Sequence, residues 1–170
     1  MKNCAPENKG FTRQNFLKKN LGGFTALELL IVVSIMGLLI AIILSPFAAF
    51  RNSKMLDTAS EETLTLLSEA RGNTLSAKAG YQYGVHFETS QVVLYRGATY
   101  SSTDVNNKVV VLDSALEVVS ISLSGGGSDV LFDKLTGKTV QSGSIIIRVK
   151  NDTTKTRTIT IVGTGIASAS

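Results

Sequence analysis

Residues 23–28 read Gly23-Phe24-Thr25-Ala26-Leu27-Glu28, and residues 29–50 continue as LLIVVSIMGLLIAIILSPFAAF. No charge occurs from Leu29 to Leu44, and Glu28 is the only one from Phe24 to Leu44. About 20 apolar residues in a helix, rising about 1.5 Å each, cross the hydrocarbon core of a bilayer. Thr25, Ser34 and Gly37 interrupt the run, and all three are tolerated in a membrane helix. The 170 residues of the chain therefore hold a membrane-length helix near the front and leave room for one globular domain behind it.

Ahead of this stretch, residues 1–23 are polar and basic. Lys2, Lys9, Arg13, Lys18 and Lys19 stand against Glu7, whereas residues 24–170 carry twelve basic and twelve acidic side chains. The whole excess of +4 thus sits in the N-terminal arm. A body without net positive charge has no general electrostatic footprint for a phosphate backbone, so nucleic acid is not an expected partner. The arm shows no apolar periodicity and reads as unstructured. Basic residues hold it in the cytoplasm and point the C-terminal body outward. Cys4 is the single cysteine and His86 the single histidine. Residues 24–170 hold no disulfide, thiolate metal site or cysteine nucleophile, and no multi-histidine metal site, so neither a cofactor nor a metal is expected.

Behind the apolar run, residues 51–79 place Leu56, Ala59, Thr63, Leu67 and Ala70 near helical spacing, with Glu61, Glu62, Glu69, Arg71 and Lys78 on the polar side. The helix is expected to continue from Phe24 to about Ala79, capped by Gly80, with Gly72 a weak point inside it. Residues 80–170 read as an antiparallel β domain. Its candidate strands are Tyr83–Glu88, Gln91–Tyr95, Lys108–Asp113, Glu117–Leu123, Val130–Phe132, Ser144–Lys150 and Thr156–Val162. Turn chemistry separates them at Gly125–Ser128, Asp133–Gly137 and Asn151-Asp152. The expected fold class is α+β, one long N-terminal helix packed on antiparallel sheet. Its parts are residues 1–23, 24–50, 51–79 and 80–170.

A secretory signal wants small residues before a cut placed after the apolar core, and Pro46-Phe47-Ala48-Ala49-Phe50 fits that poorly. A lipoprotein signal wants its cysteine after the run, and Cys4 precedes it. Instead Lys18-Lys19-Asn20-Leu21-Gly22-Gly23 abuts the run at its start, where a cut would leave the helix on the mature protein. Gly23-Phe24-Thr25-Ala26-Leu27-Glu28 before a long apolar helix resembles the type III signal of type IV pilins and type II secretion pseudopilins. The resemblance covers about residues 18–50. It implies cleavage between Gly23 and Phe24 by prepilin peptidase, N-methylation of Phe24, and a role for Glu28 and Phe24 in subunit assembly. It also implies other pilin or pseudopilin subunits, an inner-membrane assembly platform and the bilayer as partners. The path would run from the inner membrane, with the N-terminus inside, to a pilus or pseudopilus outside it. The order Val85-His86-Phe87, Val130-Leu131-Phe132, Gly137, Ile145–Ile147, Thr158–Ile161 and Gly163–Ile166 is similar to H-type minor pseudopilins and related fimbrial minor pilins. The acidic C-terminal loop by which major pseudopilins bind calcium has no counterpart here.

Several residues carry two readings. Glu28 pairs either with its own Phe24 amine at a helix N-terminus, or with that of the next subunit in a filament. A carboxylate is costly in a membrane, which gives either pairing its force. Gly37 and Pro46 are the poor helix formers of the apolar run. Pro46 cannot donate to the Ile42 carbonyl, and this reads either as a mild kink or as flexibility that lets Leu38–Ser45 lose helix in a filament. His86 reads as a strand residue rather than a catalyst, because no Gly-x-Ser-x-Gly elbow exists. Asp129 and Asp133 flank Phe132 and read as turn residues rather than cation ligands. Arg148, Lys150, Lys155 and Arg157 read as a hairpin that blunts a sheet edge, or as the DNA contact of an uptake minor pilin. The uncharged tail Gly163–Ser170 speaks against the second. No set of residues converges on enzyme chemistry. The rival to a filament subunit is an uncleaved single-pass anchor carrying an extracytoplasmic binding domain.

Overall fold

Thr25 opens the helix as its N-cap: its Oγ1 accepts the Glu28 backbone N–H at 3.2 Å. From there α1 runs Ala26–Leu75, 50 residues without interruption. The structure is a computed structural model that describes residues 22–170, with the backbone alone for Leu44, Ser45, Pro46, Ala48 and Ala49. The basic arm read from the sequence, apart from Gly22 and Gly23, lies outside the described residues. The chain forms two units, residues up to Ile42 and Ile43–Ser170.

In the second unit α1 meets eight strands. These are β1 (Tyr83–Phe87), β2 (Gln91–Arg96), β3 (Lys108–Val111), β4 (Leu116–Leu123), β5 (Asp129–Leu131), β6 (Gly143–Val149), β7 (Asp152–Ile161) and β8 (Ala167–Ala169). They build two four-stranded sheets, ordered β3-β2-β1-β5 and β4-β6-β7-β8, and every pairing is antiparallel. The α+β class expected from the sequence is the one observed. Leu56, Ala59, Thr63, Leu67 and Ala70 of α1 are all buried. The first, second, fourth and fifth of these join Val85, Phe87, Val92, Leu94, Val130 and Phe132 of one sheet region and Ile145, Ile147, Ile159 and Ile161 of the other in one core. Alternation explains the sheets: in β6 Ile145, Ile147 and Val149 are buried while Ser144, Ile146 and Arg148 are only partly covered.

The helix ends four residues before the expected Ala79, for a tertiary reason. The Thr74 hydroxyl donates to the Ala70 carbonyl at 2.9 Å and accepts the Tyr83 N–H at 2.9 Å. That bond brings the start of β1 beside the last turn of α1, so the chain must turn between them. It does so with Ala77 in the left-handed region (φ 48°) and one 3₁₀ turn, Lys78–Gly80. Gly80 takes a positive φ of 78°, but as the last residue of this turn rather than directly after α1. Two further differences concern the second sheet. β7 begins at Asp152 rather than Thr156, because the hairpin closes at once and pairs Asp152 with Val149 across a register shift. β8 has no sequence signal, since Ala167-Ser168-Ala169 lacks apolar alternation; it adds to β7 through Ile159, Thr160 and Ile161.

Gly84 of β1 lies opposite Tyr95 of β2. A Cβ on Gly84 would stand 2.6 Å from the Tyr95 ring, which covers that spot instead. Gly84→Ala is therefore expected to lower stability by about 1–3 kcal/mol, read from the urea midpoint. Combining it with Tyr95→Leu should shrink the cost of the glycine substitution, because the ring it strikes is gone.

Candidate functional site

The N-terminal junction has its own geometry. Gly22 to Thr25 precede the helix as irregular backbone, and Phe24 is 81% exposed. Gly23 has no positive φ, and a Cβ there would meet nothing within 4 Å. The fold of the chain thus gives no reason for a glycine at position 23. Glu28 sits in the first turn of α1, exposed, where the helix dipole favours an anion. Its backbone N–H is taken by Thr25, a cap that the Thr-x-x-Glu spacing of Thr25 and Glu28 signals and that the sequence reading passed over. Among the described residues the Glu28 carboxylate makes no ion pair or hydrogen bond.

Behind the junction, Ala26–Ile43 form an 18-residue span long and apolar enough to cross a membrane, none of it buried. An unburied apolar surface of that size needs lipid or protein to cover it. Ser34 does not disturb the span, since its hydroxyl donates to the Leu30 carbonyl at 2.8 Å. Gly37 lies within the span with open space around it. The backbone stays helical through Leu38–Ser45 and Pro46.

The four basic residues of the second sheet are held by internal partners. Arg148 Nη2 meets Glu117 Oε1 at 2.6 Å across β4 and β6. Arg157 donates from Nε and Nη2 to Asp57 Oδ1 of α1 at 3.0 and 2.8 Å. Lys150 Nζ donates to the Ser114 carbonyl at 2.8 Å, and Lys155 Nζ to Ser53 Oγ at 3.1 Å. This hairpin fastens sheet to helix rather than offering four cations to one ligand.

His86 occupies the face of β1 that points away from the core. Its Nδ1 lies 2.8 Å from Asp129 Oδ1 on the neighbouring strand β5, and its Nε2 lies 3.8 Å from Glu88 Oε1. The ring stacks on Tyr100 at 3.9 Å. The Tyr100 hydroxyl donates to Glu88 Oε1 at 3.1 Å, and Tyr95 packs edge-on against Tyr100 at 5.6 Å. Both imidazole nitrogens thus face carboxylates, and the Tyr100 hydroxyl bonds to Glu88 rather than to the imidazole. The cluster pins the β2–β3 connection over the outer face of the sheet. The sequence placed His86 on a strand but gave no sign of Tyr100 or Asp129 as its neighbours, because those contacts are set by strand order. Asp133 caps a turn, with its carbonyl accepting the Gly137 N–H at 2.9 Å. No group of three or more His, Cys, Asp or Glu suited to a metal occurs among the described residues.

No protein-family model matches the chain, and no curated protein matches it. Its structure is similar to the crystal structure of the type IV minor pilin FimU of Pseudomonas aeruginosa, with a TM-score of 0.50 and 14% identity. The match covers 68% of this chain and 92% of that one. The fold is pilin-like. At that identity the likeness speaks for architecture alone, and it agrees with the α+β arrangement of a long N-terminal helix on antiparallel sheets.

Within this pilin-like body, burial and then the Asp129 carboxylate push the Tyr95 phenol well above its ordinary value of 10.0. A raised phenol contributes stability that is complete below pH 10 and is lost as pH rises through the higher folded value. The urea midpoint should therefore fall between pH 9 and pH 11.5, and Tyr95→Phe should flatten that fall. An unchanged slope in the variant would assign the alkaline loss to other groups.

Proposed function

We propose that the chain is a structural subunit, of the minor class, in a type IV pilus or type II secretion pseudopilus. The observation that carries this reading is the unburied apolar span Ala26–Ile43 at the front of a pilin-like fold, directly behind the Gly23-Phe24 junction. Prepilin peptidase cuts between Gly23 and Phe24, and Phe24 is then N-methylated. Support comes from Gly23, whose glycine the fold itself does not require. The basic arm keeps the N-terminus inside until cleavage. The span then leaves the inner membrane at the assembly platform and exchanges lipid for neighbouring helices, while Gly37 and Pro46 let the stretch Leu38–Ser45 yield under load. No reaction on a substrate belongs to this role. DNA uptake finds little support, since Arg148, Lys150, Lys155 and Arg157 all serve internal partners.

Processing is read directly from the mature N-terminus. It should be Phe24, with the mass of residues 1–23 missing, and Gly23→Val should abolish the cut. Intact Met1 on surface-exposed protein would leave the uncleaved anchor with a binding domain as the better reading.

Glu28 serves the next subunit. A charged pair in a low-dielectric filament core fixes register, because a misplaced subunit leaves a buried charge alone. Glu28→Val should leave cleavage intact and ease insertion, since it removes a charge from an apolar helix. Incorporation should nevertheless fall, read as the ratio of sheared-filament protein to membrane-pool protein at equal expression. A pairing confined to its own amine is an end-of-helix effect of roughly 0.3–1 kcal/mol and would leave that ratio near the wild-type value.

A further inference from the structure

Phe47, Phe50, Arg51 and Lys54 follow one another at i, i+3, i+4 and i+7, which places them on one face of α1. All four are exposed, the two rings at 65% and 63%. Half a helical turn around, Leu56, Thr63 and Thr74 are buried toward the sheets, whereas the stripe is exposed, with Arg51 and Lys54 at the rim of a groove shared with Val111, Leu112 and Asp113. The other cations of the body differ in their partners: Arg71, Lys134 and Lys150 donate to backbone carbonyls, Lys78 and Lys138, like Arg51 and Lys54, form no ion pair among the described residues, and four meet carboxylates. Arg148, Arg157, Lys108 and Arg96 each meet a carboxylate, on Glu117, Asp57, Glu69 and Asp104. Among the described residues Arg51 and Lys54 make no ion pair, although Glu62 and Asp113 line the same shallow groove. Lys155 adds a further cation nearby, through its bond to Ser53, between Arg51 and Lys54 in the sequence.

The sequence position of the stripe matters. The apolar span ends at Ile43, and Phe47 follows four residues later in the same helix. In a membrane-anchored chain this is the depth at which hydrocarbon gives way to headgroups. Aromatic rings settle there, and long cationic side chains extend from their apolar stems to phosphate. Each basic residue held near an anionic surface favours it about fivefold.

We propose that the face bearing Phe47, Phe50, Arg51 and Lys54 is a seat for anionic phospholipid headgroups, in the leaflet opposite the basic arm. It rests on the membrane-anchored reading given above. The seat holds the subunit at a fixed depth before assembly, with the rings below the phosphate plane and the two cations at it. Arg51 and Lys54 remain without carboxylate partners because lipid phosphate serves them.

The chain contains no tryptophan, so one introduced residue reports on its own surroundings. The test places Phe50→Trp in the full chain, reconstituted in phosphatidylcholine vesicles with or without one-third phosphatidylglycerol, using acyl-brominated lipid as quencher. Leu39→Trp in the same chain reports on the span. Quenching at position 50 should be at least twofold stronger with phosphatidylglycerol. It should return to the phosphatidylcholine level in Arg51→Gln/Lys54→Gln, while position 39 is quenched equally in every case. The basic arm is common to all these chains, so it cannot produce the difference between the unsubstituted face and Arg51→Gln/Lys54→Gln. Equal quenching at position 50 in both lipids and in the double variant overturns the seat. A blue shift that follows the protein-to-lipid ratio and ignores headgroup charge assigns the face to a neighbouring subunit, and overturns it as well. An unquenched position 39 is a separate failure: it removes the membrane anchor itself, and the seat with it.

Discussion

One face of one helix gives both sheets their common core. Leu56, Ala59, Leu66, Leu67 and Ala70 pack against inward residues from β1, β2, β6 and β7 in a single cluster. Each sheet turns apolar side chains into this core, and without the helix that apolar area would lie in water. A fully buried leucine contributes about 1.5–3 kcal/mol, so the three leucines of the stripe are large against a net stability of about 5–15 kcal/mol. The buried face of α1 also absorbs three hydroxyls, of which Ser60 donates to the Asp57 carbonyl at 2.8 Å. Thr63 donates to the Ala59 carbonyl at 2.7 Å and Thr74 to that of Ala70, so none is left unsatisfied in the core.

What was legible in the sequence was what depends on period. The 3.6-residue spacing from Leu56 to Ala70 marked the buried face of α1, and the alternation of Ile145, Ile147 and Val149 marked that of β6, whereas in β4 a register shift between Val118 and Ser120 breaks the period and leaves Val119 exposed. What was illegible was what depends on partners far along the chain. The end of α1 at Leu75 follows from a hydrogen bond between Thr74 and Tyr83, and no local signal favours Leu75 over Ala79. The engagement of Arg157 with Asp57 spans 100 residues and turns an apparent basic cluster into a clamp. His86 meets Asp129 only because β5 pairs with β1 rather than with its sequence neighbour β4. β8 escaped because Ala and Ser make a strand there through pairing with β7, not through their own propensity.

The paired charges of the body have a consequence for its surface. Arg148, Arg157, Lys108 and Arg96 neutralise carboxylates on the same chain. Exposed pairs of this kind contribute little to stability, roughly 0–1 kcal/mol each. They do remove fields that would attract or repel a partner at range. These pairs neutralise eight charged groups of the chain in place. The front half of α1 presents apolar side chains, one carboxylate and no cation, while the cations Arg51 and Lys54 come only after the span.

Thr25 and Glu28 sharpen the meaning of that one carboxylate. At the start of any helix the first N–H groups lack partners, and an acidic side chain in the first turn commonly helps to satisfy them. Had the Glu28 side chain served the cap, its role would end within its own helix. The Thr25 hydroxyl takes the Glu28 N–H, and among the described residues the Glu28 carboxylate makes no bond back to the cap. The cap is then supplied by a neutral group, and the charge is not consumed by it. A neutral cap would stabilise a membrane helix at least as well without a carboxylate beside it, since the carboxylate adds an insertion cost. The division of labour between these two residues, one capping and one charged, therefore makes sense where a cation arrives from outside the helix. In the filament proposed above, the cleaved Phe24 amine of an adjacent subunit would be such a cation, and Glu28 stands exposed in the first turn of α1.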